Sequence, residues 1–470
     1  MSGGRAVDEV LETSPNGCCN LGAYCRRADD AVSSSKTIEG AKGDEMPFPW
    51  DDWIPGALNR PQMEQLLKEN FVTFDGSKPK VDHSSIDLTL SKFAYEMIEG
   101  SVKPADPPYS RFIKNAKLAK EHEPLDGETF LLKRQHTYVF RLQEKIEAPL
   151  RDAKVFYGQA TAKSTVGRVD VLARLIVDGM KTYERFDPDG LKRGLGEMYL
   201  EITPITFDVR VRPDTSLTQL RFFYGNPDDV IVKSNELYHT VFPHSKPKPN
   251  ESLDESLTVN LDEATIGNPK WTTCKGVAFR SKTSAREQKA PQPVPLWKVS
   301  DSPNPCDYWD LEVLDEHGRL CIKPDVFYIL RSKEKLRVPK GVCIYCRASD
   351  ETMGEMRIHY AGFVHPYFGQ YREDVSIGTP LIFEVRGHQV PVSLADKEKM
   401  ANLIFYRMSE DAPELTKEEE AEEAKGYSSQ DLKLSKFFAE FPDHIKRNAN
   451  GSIEVLKLEK ENAGAGKASN

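Results

Sequence analysis

The chain has 470 residues, of which 39% are hydrophobic and 29% are charged, and its formal net charge is −9. This balance is typical of a soluble protein of two or three domains, and the sequence has no apolar run near the ~20 residues that span a bilayer. A surface that binds nucleic acid broadly needs a basic excess that this chain lacks, whereas a small anionic ligand needs only a local cluster. Composition therefore excludes a membrane protein and a general nucleic-acid binder.

Residues 1–46 combine acidic residues, cysteines and a serine run, without the basic start and apolar core of a secretory signal. This composition predicts a disordered extension, and the default expectation is a cytosolic or nuclear location, of which we predict the cytoplasmic one. Eight cysteines in a chain of this length do not form a disulfide framework. Cys343 and Cys346 make a CxxC, but the surrounding GVCIYC is typical of a buried strand, which favours structural cysteines over a metal or redox pair.

Helical patterns are confined to the margins of the chain, at residues 60–69, 109–121 and 416–425. Between them, short β-branched or aromatic segments bounded by Gly, Pro and Asp predict strands. The clearest of these segments are TFLLKRQHTYVFRL, VFYILRS, GVCIYC, TPLIFEVRG and ANLIFYRM. Many short strands joined by turns indicate an all-β barrel or sandwich.

One short pattern occurs twice, with the same order and spacing in both copies. Its members are Arg141, Glu144, Lys145, Ile146 and Pro149 in the first copy, and Arg331, Glu334, Lys335, Leu336 and Pro339 in the second. Each copy continues to an apolar segment centred on a glutamate, which indicates a duplication of whole domains. We predict a first domain at 47–243, a Pro- and Lys-rich linker at 244–256, a second domain at 257–408, and an acidic helix, lid-like segment and tail at 409–470.

The candidate chemistry begins at residues 158–168, where Lys163, two hydroxyls at Ser164 and Thr165, and Arg168 stand together. Amide, hydroxyl and cationic donors in this spacing can surround a polyphosphate, and Gly167 permits close backbone approach. The segment is not a Walker motif, and taken alone such a cluster is more often a solvated turn.

Glu201 and Glu384 lie at equivalent places inside apolar strands of the two copies. A partly desolvated carboxylate has a raised pKa and can act as a general base and acid near neutral pH. A single buried glutamate is more often a core carboxylate satisfied by a partner. Two at equivalent places leave both interpretations open.

At this point several motifs carry a family resemblance. SSIDLTL (84–90), AKSTVGR (162–168), ERFDP (184–188), MYLEI (198–202) and SLTQLRF (216–222) stand in the order seen in dCTP deaminases and their trimeric dUTPase relatives. HYAGFVHPYFG (359–369), IFEVRGH, ANLIFYRM and GYSSQDLKLSK (426–436) resemble the C-terminal half of tandem, two-domain bacterial dCTP deaminases. The resemblance covers residues 47–440.

The resemblance implies an all-β fold of two tandem dUTPase-like distorted β-barrels, β-clip or jelly-roll-like, with short helices at the margins and disordered tails. It implies hydrolytic deamination of dCTP to dUTP and ammonia in a homo-oligomer such as a trimer. A glutamate would activate the water without zinc, and Mg²⁺ would accompany the triphosphate. The H-x-E and P-C-x-x-C ligands of zinc-dependent deaminases are absent from the sequence.

Site residues follow from the resemblance position by position. Catalysis would fall to Glu201 or Glu384. The substrate-binding residues would be Lys163, Ser164, Thr165, Arg168, Arg185, Asp187, Gln219, Ala361, Tyr427, Gln430 and Lys433. The last three resemble a closing segment, whose loss is expected to lower activity without unfolding the barrels.

The two copies depart from the family pattern in opposite ways. In the first, Tyr183 replaces a small hairpin residue; in the second, the phosphate loop has become the acidic RASDETMGE and His365 replaces the hairpin aspartate. Either first-repeat barrels form complete sites with one another, or the first repeat's loop meets the second repeat's hairpin. The sequence favours the former, which keeps more of the motif together.

Two other functions remain open at this stage. A dUTP pyrophosphatase, or a bifunctional enzyme taking dCTP to dUMP, would use an aspartate to orient water, and Asp87, Asp170 and Asp187 are candidates. A non-catalytic nucleotide sensor or scaffold would bind dCTP without turnover.

Overall fold

The computed structural model describes residues 48–105, 108–243, 254–266, 274–282, 291–349, 356–358, 362–371, 378–425 and 431–456. The predicted extension at 1–46 and most of the predicted linker at 244–256 lie outside these ranges. Both repeats belong to one compact unit, residues 52–470. In the part of the chain that is described, no helix is both long and apolar enough to cross a membrane.

The first repeat is built mainly from antiparallel strands. Its strands are β1 (Gly56–Ala57), β2 (Val72–Phe74), β3 (Ile86–Met97), β4 (Ala119–Glu121), β5 (Phe130–Leu132), β6 (Tyr138–Ile146), β7 (Phe156–Ala162), β8 (Val171–Val177), β9 (Arg185–Phe186), β10 (Glu197–Pro204), β11 (Val209–Val211) and β12 (Ser216–Tyr224). Its helices are α1 (Arg60–Lys68), α2 (Ser110–Ile113), α3 (Ala148–Asp152), α4 (Ser164–Gly167), α5 (Pro188–Arg193) and α6 (Asn235–Val241). The strands join in the order β8-β10-β6-β3-β12-β7-β9, with β1, β2 and β4 paired at its sides.

The second repeat and the C-terminal segment are also β-rich. The strands are β13 (Ser256–Thr258), β14 (Ala264–Thr265), β15 (Lys275–Gly276), β16 (Ala278–Ser281), β17 (Val294–Pro295), β18 (Trp309–Glu312), β19 (Leu320–Ile322), β20 (Phe327–Leu336), β21 (Val342–Ala348), β22 (Met356–Ile358), β23 (Gly362–Val364), β24 (Thr379–Gly387), β25 (Val392–Leu394), β26 (Lys399–Arg407), β27 (Ile445–Arg447) and β28 (Ile453–Val455). Helix α7 (Lys417–Lys425) precedes the last two. Two sheets, β13-β26-β21-β23 and β18-β16-β20-β24-β22, enclose one apolar core.

The duplicated pattern has the same structural role in both repeats. Glu144 of β6 accepts hydrogen bonds from the backbone N–H and the hydroxyl of Thr89, at 2.9 and 2.6 Å. Glu334 of β20 accepts the same pair of bonds from Thr258, at 2.7 Å each. A carboxylate that is buried, as Glu144 is, or half-buried, as Glu334 is, needs such donors, so the pattern marks the join of two strands in each barrel.

The two repeats pack directly on each other through β12 and β26. Phe223 and Tyr406 lie edge to face with ring centroids 5.0 Å apart. The fully buried guanidinium of Arg221 donates to the carbonyl oxygen of Ile344 at 3.2 Å and lies 4.0 Å from the ring centroid of Phe363. These contacts fix the position of one barrel relative to the other, which decides where their loops meet.

The all-β class predicted from the sequence is confirmed. The helix predicted at 109–121 is wrong beyond its first turn, because Ala119–Glu121 pairs with β3. The other two helical predictions match α1 and α7 closely. Cys343 and Cys346 lie buried in β21, as the strand interpretation requires, and burial raises the pKa of the Cys346 thiol to about 12.

Candidate active site

The predicted phosphate loop connects β7 to β8 and contains the single turn of α4. Lys163 is extended, Ser164 is exposed, and the residues from Thr165 to Arg168 are buried. Arg168 donates from Nε to Oγ of Ser164 at 3.1 Å, which holds its guanidinium under the loop. Backbone N–H groups of a first turn, a hydroxyl and a guanidinium are donors that suit a phosphate.

Lysines surround this loop. Lys163 forms an ion pair with Asp87, which is buried in β3. Lys436 reaches the same place from the C-terminal segment, and burial together with the positive charges of Lys163 and Lys80 lowers its pKa. The repulsion among these ammonium groups is relieved when an anion binds between them. Lys163 and Lys436 line one cavity of ≈ 730 Å³, large enough for a polyphosphate.

Glu384 of the second repeat meets this loop of the first. Its carboxylate lies so near Gly167 that a Cβ atom at position 167 would be 2.6 Å from Oε2. Only glycine allows this approach without displacing the carboxylate. The structure therefore brings together the loop of one repeat and the strand glutamate of the other.

A buried ion pair beside Glu384 joins the same two elements. Glu384 and Arg386 are two residues apart on β24 and project from one face, while Phe383 and Val385 point into the core of the second repeat. Arg386 pairs with Asp170 of the first repeat, and Thr206 donates to the same carboxylate at 2.5 Å. This contact holds β24 against the turn that follows the phosphate loop.

The surroundings of Glu384 favour its neutral form. Burial raises its pKa to about 8; the positive charge of Arg168 opposes the shift and the negative charge of Asp170 adds to it. No hydrogen bond to the Glu384 carboxylate comes from the residues that the structure describes. A carboxyl group of this kind can hold or release a proton near neutral pH.

Glu201 of the first repeat is in a different state. It is buried, and its Oε1 is in an ion pair with Arg174, its neighbour across β8 and β10. Tyr183 donates to its Oε2 at 3.1 Å, and the Arg174 guanidinium lies 4.2 Å from the Tyr183 ring centroid. Both oxygens are occupied, and the tyrosine stands beside the carboxylate.

The C-terminal segment closes over the phosphate loop. The carbonyl oxygen of Lys433 accepts a bond from Arg168 at 3.1 Å, and the Ser435 hydroxyl donates to the carbonyl oxygen of Thr165 at 2.7 Å. Asp431 pairs with Arg331 of β20. The contact of Lys433 runs through its backbone. Tyr427 and Gln430 lie outside the described residues.

The other predicted binding residues lie in several different parts of the structure. Arg185 and Asp187 line a cavity of ≈ 690 Å³ between the first hairpin and strands β21 and β26, and Asp187 caps α5 by accepting from Gly190 N at 2.7 Å. Gln219 lies opposite Asp87 in the β12–β3 pair and accepts from the Ser85 hydroxyl at 3.3 Å. Ala361 lies outside the described residues.

Some residues of this site carried no signal that sequence reasoning used. Nothing in the local sequence distinguishes Lys80 and Lys436 from other lysines, and only the fold places them near Asp87. Arg386 stands two residues after Glu384 in IFEVRG, so the period of a strand could have placed both on one face. Its partner Asp170 could not be found, because the pair joins different repeats.

Comparisons with known proteins agree with this architecture. Residues 54–226 match the family model described as the 2'-deoxycytidine 5'-triphosphate deaminase N-terminal domain, and residues 275–438 match the model of its C-terminal domain. The fold is similar to the crystal structure of 2'-deoxycytidine 5'-triphosphate deaminase from Agrobacterium tumefaciens, with a TM-score of 0.63 and 24% identity over 76% of this chain and 97% of that one. No curated protein sequence matches the chain.

The fold is of the dUTPase-like all-β class, with the predicted phosphate loop of one barrel against a buried glutamate of the other, and the matches place the chain among nucleotide hydrolases. The two family models, matched in order, make the assignment narrower. The chain belongs to the dCTP deaminase family in its tandem two-domain form, and the reaction of that family is the hydrolytic deamination of dCTP.

Proposed function

We propose that this protein converts dCTP to dUTP and ammonia at a composite site within one chain. The first repeat supplies the phosphate loop with Ser164, Thr165 and Arg168, and the second repeat supplies Glu384 as general base and acid. The observation that carries the proposal is the position of the Glu384 carboxylate against Gly167 of the loop. It reverses the preference drawn from the sequence, which favoured complete sites among first repeats.

Glu384 supplies the proton transfers that hydrolysis at C4 of cytosine requires. As a carboxylate it takes a proton from water while the water oxygen bonds to C4, and as a carboxylic acid it returns that proton to the leaving amine. The C4–N bond then breaks, ammonia departs, and C4 becomes a carbonyl as the second proton of the water passes to N3 of the ring. A pKa near 8 supports both roles, because both the carboxylate and the carboxylic acid are populated near neutral pH.

The lysines near the loop would hold the triphosphate. Lys163, Lys436 and Lys80 surround a single aspartate, so the donor set suits an anion better than a bare dication. Mg²⁺ would therefore enter with the phosphates, held by phosphate oxygens and water, with Asp87 as a nearby carboxylate. When bound, it neutralises phosphate charge.

Glu201 is proposed to be structural. A general base must accept a proton, and the Arg174 cation and the Tyr183 hydroxyl already satisfy both oxygens of Glu201. Tyr183 stands in the hairpin position that is small in the family. We infer that the first repeat has kept the glutamate but has lost the space that the cytosine ring would need.

A pyrophosphatase activity is less well supported. It would need an aspartate that can orient water, but the three candidates are engaged. Asp87 pairs with Lys163, Asp170 pairs with Arg386, and Asp187 caps a helix. We therefore expect ammonia without pyrophosphate.

The test is to incubate the full chain with dCTP and Mg²⁺ and to measure ammonia and pyrophosphate together. Glu384→Gln should reduce ammonia release by at least ~10²-fold, a typical contribution of general acid–base catalysis, while Glu201→Gln should retain most of the turnover. Loss with Glu201→Gln alone would place the site within first repeats. Binding of dCTP without any ammonia would support the scaffold interpretation. Light scattering of the same sample tests the predicted homo-oligomer.

A further inference from the structure

Two histidines and a glutamate from three distant parts of the chain converge on one point. His83 precedes β3 in the first repeat, His365 lies in the hairpin of the second repeat, and Glu423 lies on α7. We propose that His83, His365 and Glu423 bind a divalent transition-metal ion, with Zn²⁺ as the best fit, at a site separate from the deamination reaction. This proposal does not rest on the composite catalytic site.

The ligand atoms have the spacing of a metal site. Nε2 of His83 lies 3.2 Å from Oε1 of Glu423, and Nε2 of His365 lies 3.9 Å from Oε2 of the same carboxylate. All three ligand atoms lie within 4.8 Å of one another. Tetrahedral zinc with bonds near 2.1 Å places neighbouring ligands about 3.4 Å apart, so small side-chain movements suffice.

His365 presents a lone pair to this point. Its Nδ1 lies 2.7 Å from the carbonyl oxygen of Pro366, which can only accept, so Nδ1 carries the proton of the neutral ring. Its Nε2 then turns a lone pair toward the Glu423 carboxylate, and the separation of 3.9 Å leaves room for a cation that both atoms could bind. An imidazole whose Nδ1–H donates to a carbonyl is the usual form of a metal-bound histidine.

This point of the structure offers more ligands than one hydrogen bond uses. Besides His365, the buried imidazole of His83 points at the same carboxylate. Asp82 adds a further oxygen, with Oδ1 3.8 Å from Nε2 of His83. Two imidazoles with one or two carboxylates suit zinc or a neighbouring transition metal, and Mg²⁺ prefers oxygen ligands.

Arg60 sets the condition for metal binding. Its Nη2 lies 3.1 Å from Nδ1 of His83, and a guanidinium can only donate, so in the metal-free protein the ring proton is on Nε2 and is donated to Glu423. Metal binding at Nε2 moves this proton to Nδ1 and displaces the Nη2 contact. The ion pair between Arg60 and Glu419 remains to hold the guanidinium aside.

The site would connect the parts of the molecule that surround the substrate. His83 immediately precedes the SSIDLTL segment that carries Asp87, and His365 occupies the hairpin position that is aspartate in the family. Helix α7 leads into the segment that closes on Arg168 and Thr165. A metal ion here would tie the two repeats and this segment together.

The experiment uses the full chain, freed of metal with a chelator and titrated with Zn²⁺ by calorimetry in excess Mg²⁺. We expect one site per chain, weakened roughly tenfold or more by His83→Gln, His365→Gln or Glu423→Gln. The control is His317→Gln, because His317 is exposed beside Glu316 but has no second imidazole near it among the described residues. Absence of Zn²⁺ binding by the folded wild-type chain would overturn the proposal, as would affinity unchanged in all three variants.

Co²⁺ provides a readout that does not depend on the variants folding. Bound to imidazole and carboxylate it gives visible d–d bands without the intense charge-transfer bands of thiolate ligands. Thiolate bands in the wild-type protein would place the metal on cysteines and reject this site. Ammonia release is measured in parallel, so loss of metal binding with retained turnover separates this proposal from the catalytic one.

Discussion

The Glu384 carboxylate of the second repeat and the backbone of Gly167 in the first lie so close that a Cβ atom at position 167 would be 2.6 Å from Oε2. The two residues belong to different barrels, Glu384 to strand β24 and Gly167 to the turn of α4. Their contact places a proton-transfer group against a phosphate loop, and neither repeat could form this pair alone.

The first prediction concerns this contact. Gly167→Ala should displace Glu384, lower turnover at least ~10-fold and destabilise the protein by about 1–3 kcal/mol, the usual cost of overpacking. Ammonia release and urea unfolding measure the two effects. Gly341→Ala is the matched control, because its added methyl meets only the exposed carboxylate of Asp411, which can move. Equal effects of both changes would contradict the close contact.

The second prediction concerns pH. Because burial raises the folded-state pKa of Glu384 from 4.5 to about 8, the folded protein binds this proton more tightly than the unfolded chain does. The wild-type protein therefore loses stability as pH rises from about 4.5 to about 8, and the loss is constant above that range. Glu384→Gln removes this loss.

The variant should thus gain on the order of a few kcal/mol over the wild type at pH 8 and above, and nothing below pH 4.5. Urea unfolding at several pH values measures the difference. A gain that does not depend on pH would show that Glu384 keeps an ordinary pKa in the folded protein.

The third prediction concerns the buried pair of Asp170 and Arg386. Asp170→Asn should cost about 3–5 kcal/mol, because it leaves a buried guanidinium without its counter-charge, and it should lower turnover by releasing β24 from the loop. The double change of Asp170→Asn with Arg386→Gln should cost less than the sum of the single changes.

A surface pair serves as the control for this cycle. Lys340 and Glu414 lie 2.7 Å apart and are largely exposed, so Glu414→Gln should cost no more than about 1 kcal/mol. If Asp170→Asn costs as little as the surface change, the buried pair does not hold the repeats in register.

The fourth prediction concerns the triphosphate. Lys436→Gln should raise the KM for dCTP about tenfold or more with a smaller change in kcat, because one charge-assisted bond to phosphate is lost in both ground and transition states. Steady-state ammonia release gives both constants. Lys399→Gln is the control, since Lys399 is an exposed lysine paired with Asp254. An unchanged KM would mean that the phosphates bind away from Lys436.

The C-terminal segment contributes more to packing than its sequence motif predicts. The motif GYSSQDLKLSK predicts that its loss lowers activity and leaves the barrels folded. In the structure the chain that follows is part of the packing, with Phe438 5.9 Å from Trp309 and Phe441 stacked 5.5 Å from Phe279, centroid to centroid. We therefore expect truncation after α7 to destabilise the second repeat as well.

The sequence by itself determined the repeated pattern, the all-β class and the two strand glutamates, and it predicted the phosphate loop, because each depends on the local order of residues or on the period of a strand. Only the tertiary structure decided which glutamate meets the loop. Glu201 and Glu384 look alike in sequence, and what separates them is that Arg174 and Tyr183 satisfy one while Gly167 makes room for the other. Such contacts depend on how two barrels pack, and no local pattern encodes that packing.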